Sequence, residues 1–125
     1  MSTESLPDGT TTGDMAGDRS TRNFFDLYEL FAERAGKPYV EFLRVPALSA
    51  GAYVLPAAGT DPQKPHKEDE VYYVVRGRAR MLVGSEEQVV KSGSVIFVAA
   101  GVEHRFFDIS EELEVLVFFA PAESP

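Results

Sequence analysis

From Tyr39 onward the chain consists of short runs of β-forming residues separated by residues that favour turns. The runs are YVEFLRV, AYVL, VYYVV, RARMLV, EQVV, SVIFV, HRFFDI and LEVLVFF. The turn signals between them are Pro46, Pro56 with Gly59, Gly77, Gly84-Ser85, Ser92-Gly93 and Gly101. Short strands joined by hairpin-length turns predict an antiparallel sandwich or barrel of eight or nine strands. A parallel sheet would need crossover helices for which the chain has no room, so an all-β fold is predicted.

A different pattern precedes the strands, in the segment NFFDLYELFAERAGK. Its apolar residues recur at the spacing of one helical face, at Phe24, Leu27, Tyr28 and Phe31. Thr21 or Asn23 can cap the start of such a helix, and Gly36 with Pro38 can end it. We therefore predict one short amphipathic helix over residues 22–36 that covers the sheet.

The chain of 125 residues is predicted to form a single domain. Residues 1–21 are rich in Ser, Thr, Gly and Asp without apolar periodicity, which predicts a disordered polar tail. The domain itself is predicted over residues 22–125, with the barrel at 39–120. Because the first 22 residues lack the apolar run of a signal peptide or a membrane span, a cytoplasmic location is expected.

The charge balance and the absence of cysteine restrict the possible ligands. Twenty acidic residues against twelve basic ones give a formal charge of −8, which repels nucleic acids and anionic membranes. With no cysteine, disulfides, thiolate nucleophiles and Cys-ligated metals are excluded. Any bound metal must use nitrogen and oxygen ligands.

The strand EVYYVVR is apolar on both faces. One face carries Tyr72 and Val74, and the other carries Val71, Tyr73 and Val75. A single antiparallel sheet would leave one face in water, so both must be covered. We expect a second sheet on one side and a helix or a second copy of the chain on the other, which predicts a homodimer.

Two histidines are present in the whole chain, and each stands beside a predicted turn. His66 and Glu70 are too far apart on one straight strand to share an ion, at roughly 13 Å. If residues 67–69 form an exposed tip between two strands, the two side chains become neighbours about 5 Å apart. His104 opens HRFFDI after the predicted turn at residues 99–103. Together, His66, Glu70 and His104 would form a set of two histidines and one carboxylate.

These two segments resemble the paired motifs of the cupin superfamily over roughly residues 40–120. The first motif is matched by a leading glycine, a histidine, a glutamate after three intervening residues and a glycine after six more, at Gly59, His66, Glu70 and Gly77. The second is matched at Gly93, Gly101 and His104, with Ala99 in place of its proline and Asp108 in place of its asparagine. The resemblance implies a double-stranded β-helix, or jelly-roll barrel, preceded here by the one short helix.

The first histidine of the family's His-x-His pair is replaced by Lys64. Cupins typically bind metal through three histidines and a glutamate, so three interpretations are open. Lys64 points away and leaves three ligands; Gln63 supplies a weak fourth ligand; or Lys64 points inward and forms an ion pair with Glu70 that replaces the metal. An ammonium beside a dication is repulsive, so the first and third interpretations exclude each other. We expect the outward lysine.

The resemblance implies a divalent metal at His66, Glu70 and His104, and iron, manganese, zinc, nickel and cobalt all suit nitrogen and oxygen donors. Tyr72 and Phe106 each follow a ligand by two residues and should share its inward face, and Tyr53 is expected to join them. Such a pocket suits a small, partly apolar organic ligand. Core packing is the alternative role for these aromatic residues.

Two functions follow from the resemblance. One is a metal-dependent enzyme, either a dioxygenase or an isomerase or lyase acting next to a carbonyl. The other is a non-catalytic module that binds a small molecule, with or without the metal. The fold does not distinguish them.

Overall fold

Six strands and one helix make up the part of the chain that the computed structural model describes, which comprises residues 22–34, 36–62 and 64–125. In chain order they are α1 (Leu27–Glu33), β1 (Tyr39–Val45), β2 (Leu48–Leu55), β3 (Asp69–Val83), β4 (Glu86–Lys91), β5 (Val95–Val98) and β6 (His104–Ala120). All strand pairs are antiparallel. The predicted all-β class with one short helix is confirmed, and the predicted tail lies outside the described residues.

The sheet order is β1-β2-β6-β3-β4, with β5 also paired to β3. Strands β4 and β5 both pair with β3, at different places along it. β4 pairs with residues 78–83 of β3, and β5 pairs with residues 70–73. Two long strands, β3 and β6, are paired from Asp69 opposite Ala120 to Val83 opposite His104. These two strands are the longest in the sheet, and they lie side by side within it.

The prediction of eight or nine strands was wrong, because two predicted breaks lie inside longer strands. Gly77 was taken as a turn, yet β3 continues through it with a φ of 106°. The pairing of β3 with β6 shifts register on either side of Gly77, as at a β-bulge. A Cβ at this position would lie 2.2 Å from the carbonyl oxygen of Glu112, so glycine also allows the close approach of β6. In the same way β6 continues through residues 110–112, which separate the predicted runs HRFFDI and LEVLVFF.

The helix is shorter than predicted, and of its predicted apolar face only Phe31 packs against the cluster beneath the helix. Its N-cap is Asp26, whose side chain accepts a hydrogen bond from the backbone N–H of Glu29. Phe24 therefore precedes the helix, and both Phe24 and Tyr28 are exposed. Leu30 is the buried residue, in a cluster with Phe42, Ala50, Ala52 and Leu116. The periodicity indicated the helix correctly but not the face that meets the sheet.

Two apolar clusters hold the fold together. The larger one lies between the curled parts of the sheet and includes Tyr72, Val74, Met81, Phe106 and Leu113. The smaller one lies between the helix and the outer surface of β1, β2 and β6. The prediction that both faces of β3 are covered is therefore confirmed only in part. On the outer face, Val75 packs against the smaller cluster, but Tyr73 is exposed.

No helix among the described residues is long and apolar enough to cross a membrane. A cytoplasmic location stays a prediction.

Candidate metal centre

Three elements of the fold supply the residues of the candidate site. Glu70 is the second residue of β3, and His104 is the first residue of β6. His66 lies in the connection between β2 and β3, outside any strand. The prediction that His66 ends a strand was therefore wrong, although the predicted turn before His104 is present.

The backbone ties the segment of His66 to the turn that carries His104. The N–H of Gly101 donates to the carbonyl oxygen of His66 at 2.7 Å. The N–H of Ala100 donates to Asp69 Oδ1 at 2.8 Å. Since these bonds join the two segments that carry the histidines, the spacing between the histidines is set by the backbone as well as by the side chains.

The three side chains meet inside the barrel. His66 Nδ1 lies 2.7 Å from Glu70 Oε2, and His104 Nε2 lies 3.3 Å from the same oxygen. The two imidazole rings are 5.7 Å apart between centroids. One nitrogen of each histidine and one carboxylate oxygen all lie within 4.8 Å of one another, a grouping that could hold a metal ion.

The segment between His66 and Glu70 does not form the exposed charged tip that was predicted. Glu68 is 5% exposed and accepts a hydrogen bond from the backbone N–H of Ser124 at 3.1 Å. Asp69 is already part of β3. His66 and Glu70 converge because a fastened loop precedes the strand, not because they face each other across a hairpin.

Several buried polar atoms at this site have no hydrogen-bond partner among the described residues. They are Glu70 Oε1, His104 Nε2 and the hydroxyl of Tyr72. Leaving such atoms unpaired costs roughly 1–3 kcal/mol each, so the arrangement calls for a further group. His104 Nδ1 is engaged with the carbonyl oxygen of Val102 at 2.9 Å, so Nε2, which lies 3.3 Å from Glu70 Oε2, is the ring nitrogen that could bind a metal. Nitrogen and oxygen donors gathered in this way fit a divalent metal.

Burial and mutual contacts shift the pKa values of Glu70, His104 and Tyr72. Burial raises the pKa of the Glu70 carboxyl, but its contact with His104 and the charge of His66 outweigh burial, so the net pKa is lowered. Burial lowers the pKa of His104, but the contact with Glu70 and the bond to Val102 raise it overall. Burial, followed by the charge of Glu70, raises the pKa of Tyr72 well above its ordinary value. Glu70 is thus held as a carboxylate and Tyr72 as a neutral phenol.

The aromatic residues singled out in the sequence occupy two different places. Tyr72 and Phe106 are fully buried, with their ring centroids 5.2 Å apart in an edge-to-face contact, and the Tyr72 ring centroid lies 6.0 Å from that of His104. Tyr53 is anchored by Asp61, whose Oδ1 accepts from the Tyr53 hydroxyl and whose Oδ2 accepts from the backbone N–H of Phe106, both at 2.9 Å. Contact of these three aromatics with a ligand stays a prediction. The clamp formed by Asp61 was not foreseen.

A cavity of about 300 Å³ lies next to His66. Its walls are formed by Tyr39, Tyr53, Pro62, Lys64, His66, Val117, Phe119 and Glu123. Tyr53 was predicted to line it, and Tyr39 was not. The Tyr39 hydroxyl is buried without a hydrogen-bond partner in the part of the chain that is described, and burial raises its pKa.

Lys64 is exposed at the edge of this cavity. Glu70 is instead almost fully buried, and its ion-pair contacts are with the two imidazoles. Among the described residues no ion pair joins Lys64 to Glu70, which contradicts the inward-pointing lysine. Gln63, considered as a weak fourth ligand, lies outside the described residues.

Glu123 is the residue at the site that the sequence analysis missed. Its Oε2 lies 3.3 Å from His66 Nε2, on the other side of the ring from Glu70. Burial, together with the neighbouring carboxylates, raises the pKa of Glu123 despite the opposing charge of His66. Nothing in the spacing APAESP indicates such a role, because the contact depends on how the segment after β6 folds back.

Comparisons with known proteins agree with the fold. The family model of the cupin domain matches residues 52–120. An uncharacterised protein of Streptomyces coelicolor is 55% identical over 102 residues, which are 80% of this chain and 97% of that protein. The crystal structure of a Bacillus halodurans protein has a TM-score of 0.73 at 19% identity, over 86% of this chain and 88% of that chain. An RmlC-like cupin from Shewanella frigidimarina has a TM-score of 0.61 at 21% identity, over 67% and 75% of the two chains.

Proposed function

The chain belongs to the cupin domain family, and from this membership we propose that it binds one divalent metal ion through His66, Glu70 and His104. The observation that carries the proposal is the set of buried donor atoms without partners beside the Glu70 carboxylate. A metal bound there would act as a Lewis acid on a carbonyl, enol or carboxylate oxygen of a ligand. Iron, manganese, zinc, nickel and cobalt all suit the donor set.

We further propose that the cavity beside His66 takes a small, partly apolar organic molecule. Its volume of about 300 Å³ is at the lower end for ligand pockets. Val117 and Phe119 supply apolar wall, and the Tyr39 hydroxyl supplies a hydrogen bond. A molecule of this kind with one oxygen-bearing end satisfies both the walls and the unpartnered polar atoms.

The chemistry that this arrangement favours is that of a metal-dependent enzyme, either a dioxygenase or an isomerase or lyase acting next to a carbonyl. Tyr72, kept neutral by burial, can donate its proton in a hydrogen bond to a ligand oxygen. The Glu70 carboxylate is the neighbouring acceptor in the same place. The elements around them exclude bulk water, because Glu70, Tyr72 and His104 are all buried.

A non-catalytic binding module is the second candidate. This candidate is supported by Tyr53 and Asp61. The Tyr53 hydroxyl and both Asp61 carboxylate oxygens form hydrogen bonds within the barrel, so they are engaged in holding the fold together. In this case the cavity holds its ligand without turnover. The ion pair between Lys64 and Glu70, considered for a metal-free module, is absent and is not part of this candidate.

Elemental analysis of untagged protein, purified without chelators, tests the metal proposal directly. We expect close to one transition-metal ion per chain. Protein without metal that also fails to take up Mn²⁺, Fe²⁺, Co²⁺, Ni²⁺ or Zn²⁺ on titration would contradict the metal centre. Incubation of the loaded protein with a small-molecule ligand, once one is found by thermal shift, separates the enzyme from the binding module, since only the enzyme changes the ligand.

We also propose that the protein forms a homodimer through the outer surface of β3 and β5. Tyr73 pairs with Val95 and Val71 pairs with Phe97, so the four side chains share one face. Tyr73 is 37% exposed, Val95 66% and Phe97 60%, beyond the part of the sheet that the helix covers. Light scattering at micromolar concentrations should give a dimer mass, and Phe97→Glu should lower it towards that of a monomer. A wild-type monomer would contradict the proposal.

A further inference from the structure

His66 is held between two carboxylates. Its Nδ1 lies 2.7 Å from Glu70 Oε2, and its Nε2 lies 3.3 Å from Glu123 Oε2. An imidazole that gives one nitrogen to a metal keeps the other as an N–H donor. That second nitrogen is usually held by a carboxylate or a carbonyl oxygen, which fixes the ring and its tautomer. Glu123 stands where such a partner is needed.

The other histidine of the site already has a partner of this kind. His104 Nδ1 is 2.9 Å from the carbonyl oxygen of Val102, two residues earlier in the same turn. His66 has no equivalent contact within its own loop among the described residues, and its ring edge meets Phe119 at a centroid distance of 5.0 Å. Its second polar partner therefore comes from a distant part of the chain.

The segment that follows β6, residues 121–125, is fastened so that it presents this carboxylate. The N–H of Glu123 donates to Ser49 Oγ at 2.8 Å, and its carbonyl oxygen accepts from Arg44 at 2.6 Å. On either side, the N–H of Ala122 donates to Pro46 and that of Ser124 donates to Glu68. Ser49 and Glu68 are both buried. Backbone bonds thus hold the segment while the Glu123 side chain stays free to reach His66.

We propose that Glu123 is a positioning residue for the metal centre: it accepts the N–H of His66 Nε2 and so directs the other ring nitrogen towards Glu70 and His104. This inference rests on the proposed metal function. It assigns to Glu123 the same role for His66 that the Val102 carbonyl has for His104. It also explains how His66 is held in place although it lies outside any strand. Such support matters more here, because the exposed Lys64 replaces the family's first histidine.

The test is a measurement of Co²⁺ affinity for the whole untagged chain, in competition with a chromogenic chelator. Glu123→Ala should weaken binding by about 10- to 100-fold, the usual effect of losing a partner of a ligating histidine. Glu123→Gln should lose much less, because the amide oxygen can still accept the N–H. The control is Glu86→Gln, which removes one negative charge from an exposed position on β4 and should bind Co²⁺ as the wild type does.

A second measurement separates positioning from a structural role. In the Zn²⁺-loaded protein, which is diamagnetic, the ¹⁵N shifts of the His66 ring should report metal binding at Nδ1 and an N–H at Nε2 in the wild type and in Glu123→Gln, and a mixture of the two ring orientations in Glu123→Ala. Wild-type affinity and tautomer in Glu123→Ala would overturn the inference while leaving the metal proposal intact. Failure of the wild type to bind Co²⁺ or any other divalent metal would overturn the metal proposal itself, and the inference with it. If Glu123→Ala does not fold, Glu123→Ser takes its place, because its hydroxyl is too short to reach His66, and wild-type Co²⁺ affinity in that folded variant would also overturn the inference.

Discussion

The two histidines of the candidate centre differ in how the fold holds them. His104 begins a long strand and its side chain is 0% exposed, with the ring of Tyr72 beside it. His66 lies in a connection, its side chain is 18% exposed, and it borders the cavity. His104 is therefore part of the core, whereas His66 is brought to the core by a loop. A site built in this way keeps a rigid donor while leaving an open side for a ligand.

The largest effect is expected from His104→Ala. This change removes a metal donor and also leaves the buried Glu70 carboxylate with one imidazole fewer. Breaking a buried charged contact costs about 3–5 kcal/mol, so the metal-free protein should lose stability on that order. Metal occupancy should fall by about tenfold or more. Urea unfolding and elemental analysis measure the two effects, and unchanged values for both would remove His104 from the centre.

His66→Ala should separate the two effects. His66 also contacts the Glu70 carboxylate, but it lies at the edge of the cavity, where water can take its place, so we expect a smaller loss of stability of about 1.5–3 kcal/mol, typical of a hydrogen bond to a charged group. Metal occupancy should still fall by about tenfold or more, as in His104→Ala. The contrast between the two histidines would disappear if His66→Ala unfolded as easily as His104→Ala.

Glu70→Gln tests the atom that the two histidines share. The amide has nearly the shape of the carboxylate but carries no charge, so the fold should be kept while the metal is bound less tightly, by about tenfold. Isothermal titration with Zn²⁺, beside circular dichroism of both proteins, measures this. Equal affinity for Zn²⁺ would mean that the carboxylate is not a ligand.

The smallest effect is expected from Lys64→Ala, on the loop side of the site. Since Lys64 is exposed and is not paired with Glu70, the change should alter stability by less than about 0.5 kcal/mol, as surface substitutions usually do. Urea unfolding of the metal-free variant gives the value. A loss of a few kcal/mol would instead indicate that the lysine pairs with buried charge.

Much of the fold could be predicted from local patterns. Alternating apolar residues and turn signals gave the all-β class, and the predicted bounds of the first strand, YVEFLRV, coincide with β1. The strand count could not be predicted in this way, because Gly77 favours a turn and a bulge equally well from sequence alone. Only the pairing with β6 shows that the strand continues. The buried face of the helix was missed for the same reason, since Phe24 and Leu30 are equally apolar and only the sheet selects between them.

The donor types, two histidines and a glutamate without cysteine, and the position of each histidine beside a turn can be read from the residues alone. Tertiary structure alone decided that they meet. His104 pairs with Val83 at the far end of β3 from Glu70, a separation of about 40 Å on a straight strand. The curl of the sheet closes that distance to 3.3 Å between His104 Nε2 and Glu70 Oε2. Glu123 reaches His66 through a segment that folds back after β6. Local patterns encode the period of a strand, but such contacts depend on curvature and register, which arise only when the whole sheet has packed.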